Sequence, residues 1–167
     1  MSLAAVIFDM DGTLVDSMPY HYASWKIFLE EQGVSMTDEA FERIHHGTLF
    51  DIMPRIFGPL SDEACYQLGM KKEAAFRQLY ASKIAPMEGL LPWLNTLQQS
   101  AIKIGLGTAA DNSNTDFTLD AIGIRSYFDA IVTSNLVREG KPSPAVYLKV
   151  AELLQVAEEY LAPLRHA

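Results

Sequence analysis

The stretch AAVIFDMDGT, residues 4–13, decides the fold. Its first five residues are apolar without alternation, which predicts a strand buried on both faces of a parallel sheet. Asp9 and Asp11 follow at the carboxyl end of that strand, where open α/β sheets bind their ligands. Two carboxylates this close together repel each other unless a cation or a proton separates them, and Gly12 lets the backbone turn sharply beside a ligand. The pattern therefore predicts a reactive site rather than a solvated loop.

In the rest of the chain, strand patterns alternate with helical patterns, as βαβ units require. Two further apolar runs, residues 102–106 and 130–133, predict strands, and helical patterns surround them. Residues 37–80 are helical in pattern with no convincing strand, and they lie between the first and second strands. We therefore expect an α/β fold with a parallel sheet in a core of residues 1–16 plus 84–167, and an inserted helical lobe at residues 17–83. Helices are expected at residues 17–32, about 62–80, 90–100, 112–122 and 144–154.

Two more polar stretches follow the second and third strands. Residues 105–112, GLGTAADN, combine a hydroxyl, small residues and backbone N–H groups before a helix, which together favour an anion cradle. The alternative for Thr108 is that it starts a turn. Lys141 stands between glycine and proline, which hold it stiffly, although an isolated lysine is more often a solvated surface residue. The functional interpretation of both stretches is strengthened because they are expected at the same edge of the sheet as Asp9.

This ordered set of motifs resembles the haloacid dehalogenase superfamily, in the branch that carries a helical cap after the first motif. The resemblance covers residues 4 to about 154 and implies a Rossmann-like core. It implies that Asp9 is the nucleophile and Asp11 the general acid and base. The cofactor that the family uses is Mg²⁺, bound partly by Asp9 and by the backbone carbonyl of Asp11. Phosphate binding would fall to four further residues: Gly12, Thr108, Ala109 and Lys141.

Asn112 matches a polar residue that often follows the threonine motif in this family, and it joins the expected phosphate-binding set. The physical chemistry agrees with these roles. A carboxylate attacks phosphorus through an aspartyl-phosphate, and cations must first neutralise the repulsion between two anions. Asp11 would protonate the leaving oxygen and then deprotonate water, so we expect its neighbours to raise its pKa.

Within this family, the chain is similar to sugar-phosphate phosphatases and to β-phosphoglucomutases. His21 lies in a segment like the first cap helix of the mutases; it either lines the substrate cleft or packs within the lobe. The mutases carry an arginine in a cap loop where residues 45–50 here, HHGTLF, have none. Arg43 or Arg55 could take the place of this arginine, but its absence from residues 45–50 favours a phosphatase over a mutase. The pair at 45 and 46 is expected to be a polar edge of the cap rather than a metal site, since adjacent helical residues point apart.

The family's fourth motif, an acidic pair after a fourth strand, has no counterpart here. Glu158 and Glu159 are acidic but follow no strand pattern. We therefore expect a core that is truncated at its C-terminal strands, with one edge of the first strand exposed. A second copy of the chain or the last residues of this one could cover that edge. A natural truncation, an altered reading frame and a deliberate shortening all remain open as its origin.

Composition limits the partners. The chain has 167 residues and a net charge of −8, which argues against nucleic acid and anionic membranes as partners. Its single cysteine, Cys65, allows no internal disulfide, and with the lack of a signal peptide or membrane span it indicates the cytoplasm. The leading hypothesis is a Mg²⁺-dependent phosphatase of a small phosphorylated metabolite, with a sugar phosphate as the expected substrate. A phosphohexomutase and a non-catalytic remnant are the alternatives.

Overall fold

The computed structural model describes residues 3–45 and 47–157. The chain divides into two compact units: a core unit, Met1–Asp16 with Ala85–Ala167, and a cap unit, Ser17–Ile84. The strands are Ala5–Phe8 (β1), Lys103–Gly107 (β2) and Ala130–Val132 (β3). The helices are Met18–Glu31 (α1), Asp38–Glu42 (α2), Leu49–Phe57 (α3), Asp62–Tyr80 (α4), Leu90–Gln99 (α5), Asn112–Ala121 (α6) and Ala145–Leu154 (α7). The α/β fold class is confirmed.

The core unit is built on a parallel sheet with the strand order β1-β2-β3. Phe8 lies opposite Leu106, and Gly107 lies opposite Val132. Because all three strands run in the same direction, their carboxyl ends meet at one edge of the sheet. Asp9, which follows β1, and Thr108, which follows β2, therefore start at neighbouring positions.

The two glycines of β2 let helix α7 lie directly on the sheet. A Cβ at Gly105 would collide with a methyl group of Val150, and a Cβ at Gly107 would lie 3.0 Å from Cδ1 of Tyr147. Alternation along the strand turns Ile104 and Leu106 to the opposite face, and both are fully buried. The glycine spacing in GLGTAADN thus serves helix packing as well as the loop that follows.

Strand β1 has an open edge in the part of the chain that the structure describes. Within residues 3–45 and 47–157 it pairs with β2 alone, and Ala5, Val6 and Ile7 are only partly buried. An unpaired edge presents a row of free backbone N–H and C=O groups, which invites another strand. That a second copy of the chain covers this edge remains a prediction.

The cap unit is helical throughout its described residues and has its own hydrophobic core. Helix α4 packs against both α1 and α3. Ser61 caps α4, because its hydroxyl accepts a hydrogen bond from the N–H of Ala64. Ser17 occupies the N-cap position of α1, but its side chain makes no capping bond. The cap core comprises Trp25, Phe28, Leu29, Phe41, Ile52, Met53 and Cys65.

Among the described residues, no helix combines the length and the apolar character needed to cross a lipid bilayer.

Candidate active site

The acidic loop after β1 is held in place by the apolar residues between its carboxylates. Met10, Leu14 and Val15 are almost completely buried, whereas Asp9 and Asp11 stay partly exposed. The N–H of Gly12 donates to the carbonyl of Val15 at 2.9 Å, with Gly12 at φ +75°. A side chain at that φ is strained, so glycine suits the turn. The buried residues fix the backbone, and the two carboxyl groups are left accessible to a ligand.

Asp9 and Lys141 form an ion pair although they are far apart in the sequence. The Nζ atom of Lys141 lies 2.7 Å from Oδ2 of Asp9, and both side chains are about a quarter exposed, at 27% and 26%. The other carboxylate oxygen, Oδ1, accepts a hydrogen bond of 2.7 Å from the N–H of Met10. Both Asp9 oxygens are thus oriented, one by the backbone and one by a cation. The structure brings together the predicted nucleophile and the predicted phosphate-binding lysine.

Lys141 keeps its positive charge although its side chain is partly buried. Burial alone would lower the pKa of this ammonium group, but hydrogen bonding to Asp9 and then to the Tyr147 side chain, together with the negative charge of Asp9, raises the pKa above its ordinary value. The Nζ atom also lies 4.9 Å from the centroid of the Tyr147 ring. Lys141 therefore remains a cation at neutral pH, as a phosphate-binding group must. Its peptide bond to Pro142 is cis.

Thr108 is buried at the carboxyl end of β2, where a phosphate-binding hydroxyl would be expected. Its side chain is only 1% exposed, and its Oγ1 accepts a hydrogen bond of 3.1 Å from the N–H of Ala110. Because that hydroxyl accepts here, its own hydrogen can still be donated to an anion. Ala109, between them, is exposed. Asp111 then caps α6 by accepting from the N–H of Asn114 at 2.7 Å.

Asn112 connects the loop after β2 with the loop after β3. Its Oδ1 accepts a hydrogen bond of 2.7 Å from the hydroxyl of Thr133, and its N–H donates to Oδ1 of Asn135 at 2.9 Å. A parallel contact joins the N–H of Ser134 to the carbonyl of Ala110 at 3.0 Å. Asn112 is thus a brace between two loops at the site edge. Its predicted contact with phosphate remains a prediction.

His21 packs inside the cap unit in a charged cluster. Its ring stacks on Phe76 with centroids 3.7 Å apart and planes 5° from parallel. Its Nδ1 lies 3.0 Å from Nζ of Lys72, which also pairs with Glu73 at 2.9 Å. Because an ammonium group only donates, Nδ1 must accept, and the imidazole carries its proton on Nε2 when neutral. Of the two alternatives for His21, the structure shows packing within the cap; a substrate contact remains a prediction.

The cap residues around position 45 make local contacts. The Nδ1 of His45 lies 3.2 Å from the carbonyl oxygen of Phe41. The imidazole ring of His45 also stacks on the ring of Phe41. A guanidinium nitrogen of Arg55, one of the two proposed substitutes for the absent arginine, donates to the carbonyl of Ile44 at 3.0 Å. Arg43, the other substitute, is exposed. His46 lies outside the described residues.

The donor set around Asp9 fits a hard cation such as Mg²⁺. Magnesium is commonly bound by one or two carboxylates together with other oxygen ligands, water and substrate phosphate. Asp9 supplies a carboxylate, and the backbone carbonyl of Asp11, two residues on, supplies a second oxygen. Across residues 3–45 and 47–157, no group of three or more His, Cys, Asp or Glu side chains is placed to hold a metal ion. Glu158 and Glu159, the acidic pair near the end of the sequence, lie outside the described residues. Asp9 and the backbone carbonyl of Asp11 are the groups of the described chain that would hold the ion.

Sequence reasoning missed three groups of residues around these positions. Tyr147 lies in an apolar run of α7, and nothing in that pattern distinguishes it from a core residue. Thr133 and Asn135 follow β3, where their polarity was a usable signal. The Lys72–Glu73 pair reads as ordinary helix surface, yet these residues are only 2% and 7% exposed. No sequence pattern distinguishes such a buried pair, because its burial depends on how α1 packs against α4.

Comparison with known proteins identifies a match over nearly the whole chain. The family model described as haloacid dehalogenase-like hydrolase matches residues 6–161. The chain is 32% identical to β-phosphoglucomutase of Bacillus subtilis over an alignment that covers 99% of this chain and 76% of the relative. It is 27% identical to fructose-1-phosphate phosphatase YqaB of Escherichia coli, covering 92% of this chain and 81% of that protein.

A solved structure gives the same result for the three-dimensional fold. The crystal structure of β-phosphoglucomutase from Clostridium difficile matches with a TM-score of 0.78 at 26% identity. The match covers 93% of this chain and 72% of that chain. The chain therefore spans about three-quarters of the length of these relatives.

Proposed function

Because this chain belongs to the haloacid dehalogenase-like hydrolases, we propose that it is a Mg²⁺-dependent phosphatase of a small phosphorylated metabolite. A sugar phosphate is the proposed substrate class, since relatives with 27–32% identity carry names that specify sugar phosphates. The observation that carries the proposal is the 2.7 Å contact between Lys141 and Asp9. It places a cation beside a carboxylate at the ligand-binding edge of the sheet.

Asp9 is the proposed nucleophile. One of its carboxylate oxygens forms a bond to phosphorus while the bond between phosphorus and the ester oxygen breaks, which leaves an aspartyl-phosphate. Lys141 already lies against this carboxylate, so it also lies close to the oxygens of a phosphoryl group bound there. Its charge offsets the repulsion between the two anions, and the hydroxyl of Thr108 adds a hydrogen bond.

Asp11 is the proposed proton carrier. It donates its proton to the ester oxygen as the alcohol leaves, and it then takes a proton from the water that attacks phosphorus. That second step releases inorganic phosphate and regenerates the Asp9 carboxylate. When bound by Asp9 and Asp11, Mg²⁺ would supply further positive charge to the transferring phosphoryl group.

The test is phosphate release from a panel of sugar phosphates, with Mg²⁺ and with a chelator, for wild type and Asp9→Asn. We expect turnover that the chelator removes and that Asp9→Asn lacks, with circular dichroism showing that the variant is folded. Turnover retained in Asp9→Asn would contradict the nucleophile assignment. Absence of turnover in a folded wild-type protein, with no specific response to Mg²⁺, would instead support the non-catalytic alternative.

The phosphohexomutase alternative has a distinct signature in the same assay. A mutase must return phosphate to a second hydroxyl, so it requires a bisphosphate and yields an isomerised sugar phosphate. The absence of arginine from residues 45–50, and the contact of Arg55 with the carbonyl of Ile44, favour hydrolysis. Isomerised product without phosphate release would replace the phosphatase proposal with the mutase.

A further inference from the structure

The ring of Tyr147 lies near both the active-site lysine and the sheet. Nζ of Lys141 is 4.9 Å from the ring centroid. Gly107 of β2 lies so close to the ring that an added Cβ there would be 3.0 Å from Cδ1 and 3.3 Å from Cε1. The ring also packs against the buried cluster that joins α7 to the sheet. Tyr147 is thus held firmly while it contacts a side chain at the site.

Lys141 needs such support because its own attachment is flexible. A lysine side chain has a flexible stem of four carbons, and holding this stem in one conformation costs conformational entropy. The ion pair with Asp9 is about a quarter exposed, and a pair of that kind orients a lysine only weakly. An aromatic ring within about 6 Å attracts an ammonium group through its electron-rich face and supplies a rigid surface for the methylene stem.

We infer that Tyr147 is a positioning residue that holds the ammonium group of Lys141 beside Asp9 through its aromatic ring. Tyr147 acts only through Lys141, and this role rests on the proposed function of Lys141 as the phosphate-binding cation. The residue lies in the first turn of α7, and α7 is fixed to β2 through Gly105 and Gly107. The position of the lysine is therefore set by the packing of a helix on the sheet as well as by its own loop.

The first test is a double-mutant cycle on the binding of vanadate, a phosphate mimic, to the full chain. Tyr147→Met removes the ring and keeps an apolar side chain of similar reach, whereas Tyr147→Phe keeps the ring. We expect Tyr147→Met to weaken vanadate binding about three- to thirtyfold, and Tyr147→Phe, which loses only the hydroxyl, to weaken it clearly less. In a Lys141→Ala background, Tyr147→Met should have no further effect, because the group that it positions is gone.

Tyr127→Met is the matched control, since Tyr127 is another half-buried tyrosine of the core unit whose hydroxyl contacts Asn95. It should bind vanadate like wild type. Additive effects of the Lys141 and Tyr147 substitutions, or a Tyr147→Phe variant as weak as Tyr147→Met, would overturn the inference. In steady-state assays, a loss in kcat/KM that Tyr147→Phe restores would separate positioning from a general loss of stability.

Crystal structures of wild type and Tyr147→Met test the inference without any activity. We expect the Lys141–Asp9 contact in wild type and its loss in the variant. An unchanged contact in the variant would overturn the role of Tyr147, even in an active phosphatase. A lost contact together with a wild-type protein that neither binds vanadate nor releases phosphate would support the positioning role and contradict the proposed function.

Discussion

Asp9 and Lys141 show how the site depends on individual atoms. Each oxygen of Asp9 has one donor: the N–H of Met10 and the ammonium group of Lys141. A nucleophile held in this way keeps one orientation before substrate arrives, which reduces the entropy lost on reaching the transition state. At the residue scale, the proposal therefore makes separate predictions for the proton carrier and for the cation.

Replacing the proton carrier should separate the two steps of the reaction. We predict that Asp11→Asn gives a burst of p-nitrophenolate from p-nitrophenyl phosphate, followed by slow turnover. Nitrophenolate leaves without an acid, whereas hydrolysis of the aspartyl-phosphate still needs a base. Stopped-flow absorbance measures the burst. Asp16→Asn, an exposed aspartate of the same loop, should show wild-type kinetics, and equal losses in both variants would contradict the assignment.

Removing the cation should weaken anion binding at this site alone. We expect Lys141→Ala to raise the dissociation constant for vanadate about tenfold or more, because a charged hydrogen bond is lost. Lys149→Ala is the matched control, since Lys149 lies on α7 and pairs at 2.8 Å with the exposed Glu152. Lys103 is less suitable as a control because its Nζ donates to the carbonyl of Leu154. Isothermal titration that gives equal affinities for both variants would make Lys141 an ordinary surface lysine.

At the scale of secondary-structure elements, the packing of α7 on β2 connects the sheet to the site. Gly105 lies against Val150 and Leu154, and Gly107 lies against Tyr147. Close packing of this kind leaves no room for a methyl group. The helix that carries Tyr147 is therefore sensitive to small changes in β2.

A methyl group at Gly105 should separate α7 from the sheet. We predict that Gly105→Ala lowers the free energy of unfolding by about 1–3 kcal/mol, as overpacking in a core does. Urea denaturation followed by circular dichroism measures this. The double variant Gly105→Ala with Val150→Ala should recover part of the loss, since it shortens the side chain that the new Cβ meets. A Gly105→Ala protein as stable as wild type would contradict the packing described for α7.

Helix α3 of the cap should lose stability in acid through Asp51. The N–H and the hydroxyl of Thr48 each donate to Asp51 Oδ2 at 2.8 Å. The hydrogen bond from the N–H of Thr48, and to a lesser extent the one from its hydroxyl, holds the pKa of Asp51 below its ordinary value of 3.8. A carboxyl group with a lowered folded-state pKa stabilises the fold above its ordinary pKa, and this contribution is lost as the pH falls through the lowered value.

We therefore predict that Asp51→Asn is less stable than wild type at neutral pH by up to about 1 kcal/mol. The difference should shrink as the pH drops below about 4. Urea midpoints measured from pH 3 to 7 for both proteins provide the comparison. A difference that stays constant over this range would show that the Asp51 charge does not stabilise α3.

On the scale of the whole molecule, two chain segments combine to form one sheet. Residues 5–8 supply β1, and the other two strands come from the chain after the cap. In the described residues β1 has one neighbour, and three of its four side chains are partly exposed. Covering that edge would bury apolar surface and satisfy backbone hydrogen bonds.

We predict that the protein forms a dimer through this edge. Light scattering should then give about twice the chain mass of 18.6 kDa at micromolar concentration. Val6→Lys, which places a charge in β1, should shift the mass towards 18.6 kDa. A wild-type mass of 18.6 kDa over the same concentration range would contradict the dimer.

The order and type of the elements could be predicted from local pattern. The apolar run before Asp9, the helix after Ser61 and the strand before Thr108 all follow from periodicity, capping and polarity, which act over a few residues. Boundaries differ from expectation by about one residue, as for β2, which begins at Lys103 rather than at residue 102. Ser17 is a capping residue by type, but its side chain makes no capping bond to α1.

By itself, the sequence determined the α/β class and the alternation of strands and helices along the chain, with Asp9 directly after β1 and Thr108 directly after β2. Only the tertiary structure decided that Lys141 pairs with Asp9, that Asn112 braces two loops, and that Tyr147 contacts the lysine. The reason is physical. Secondary structure follows from interactions between near neighbours in the chain, whereas these contacts join residues from different elements. Their distances depend on how strands align and how closely a helix packs against glycines in the sheet.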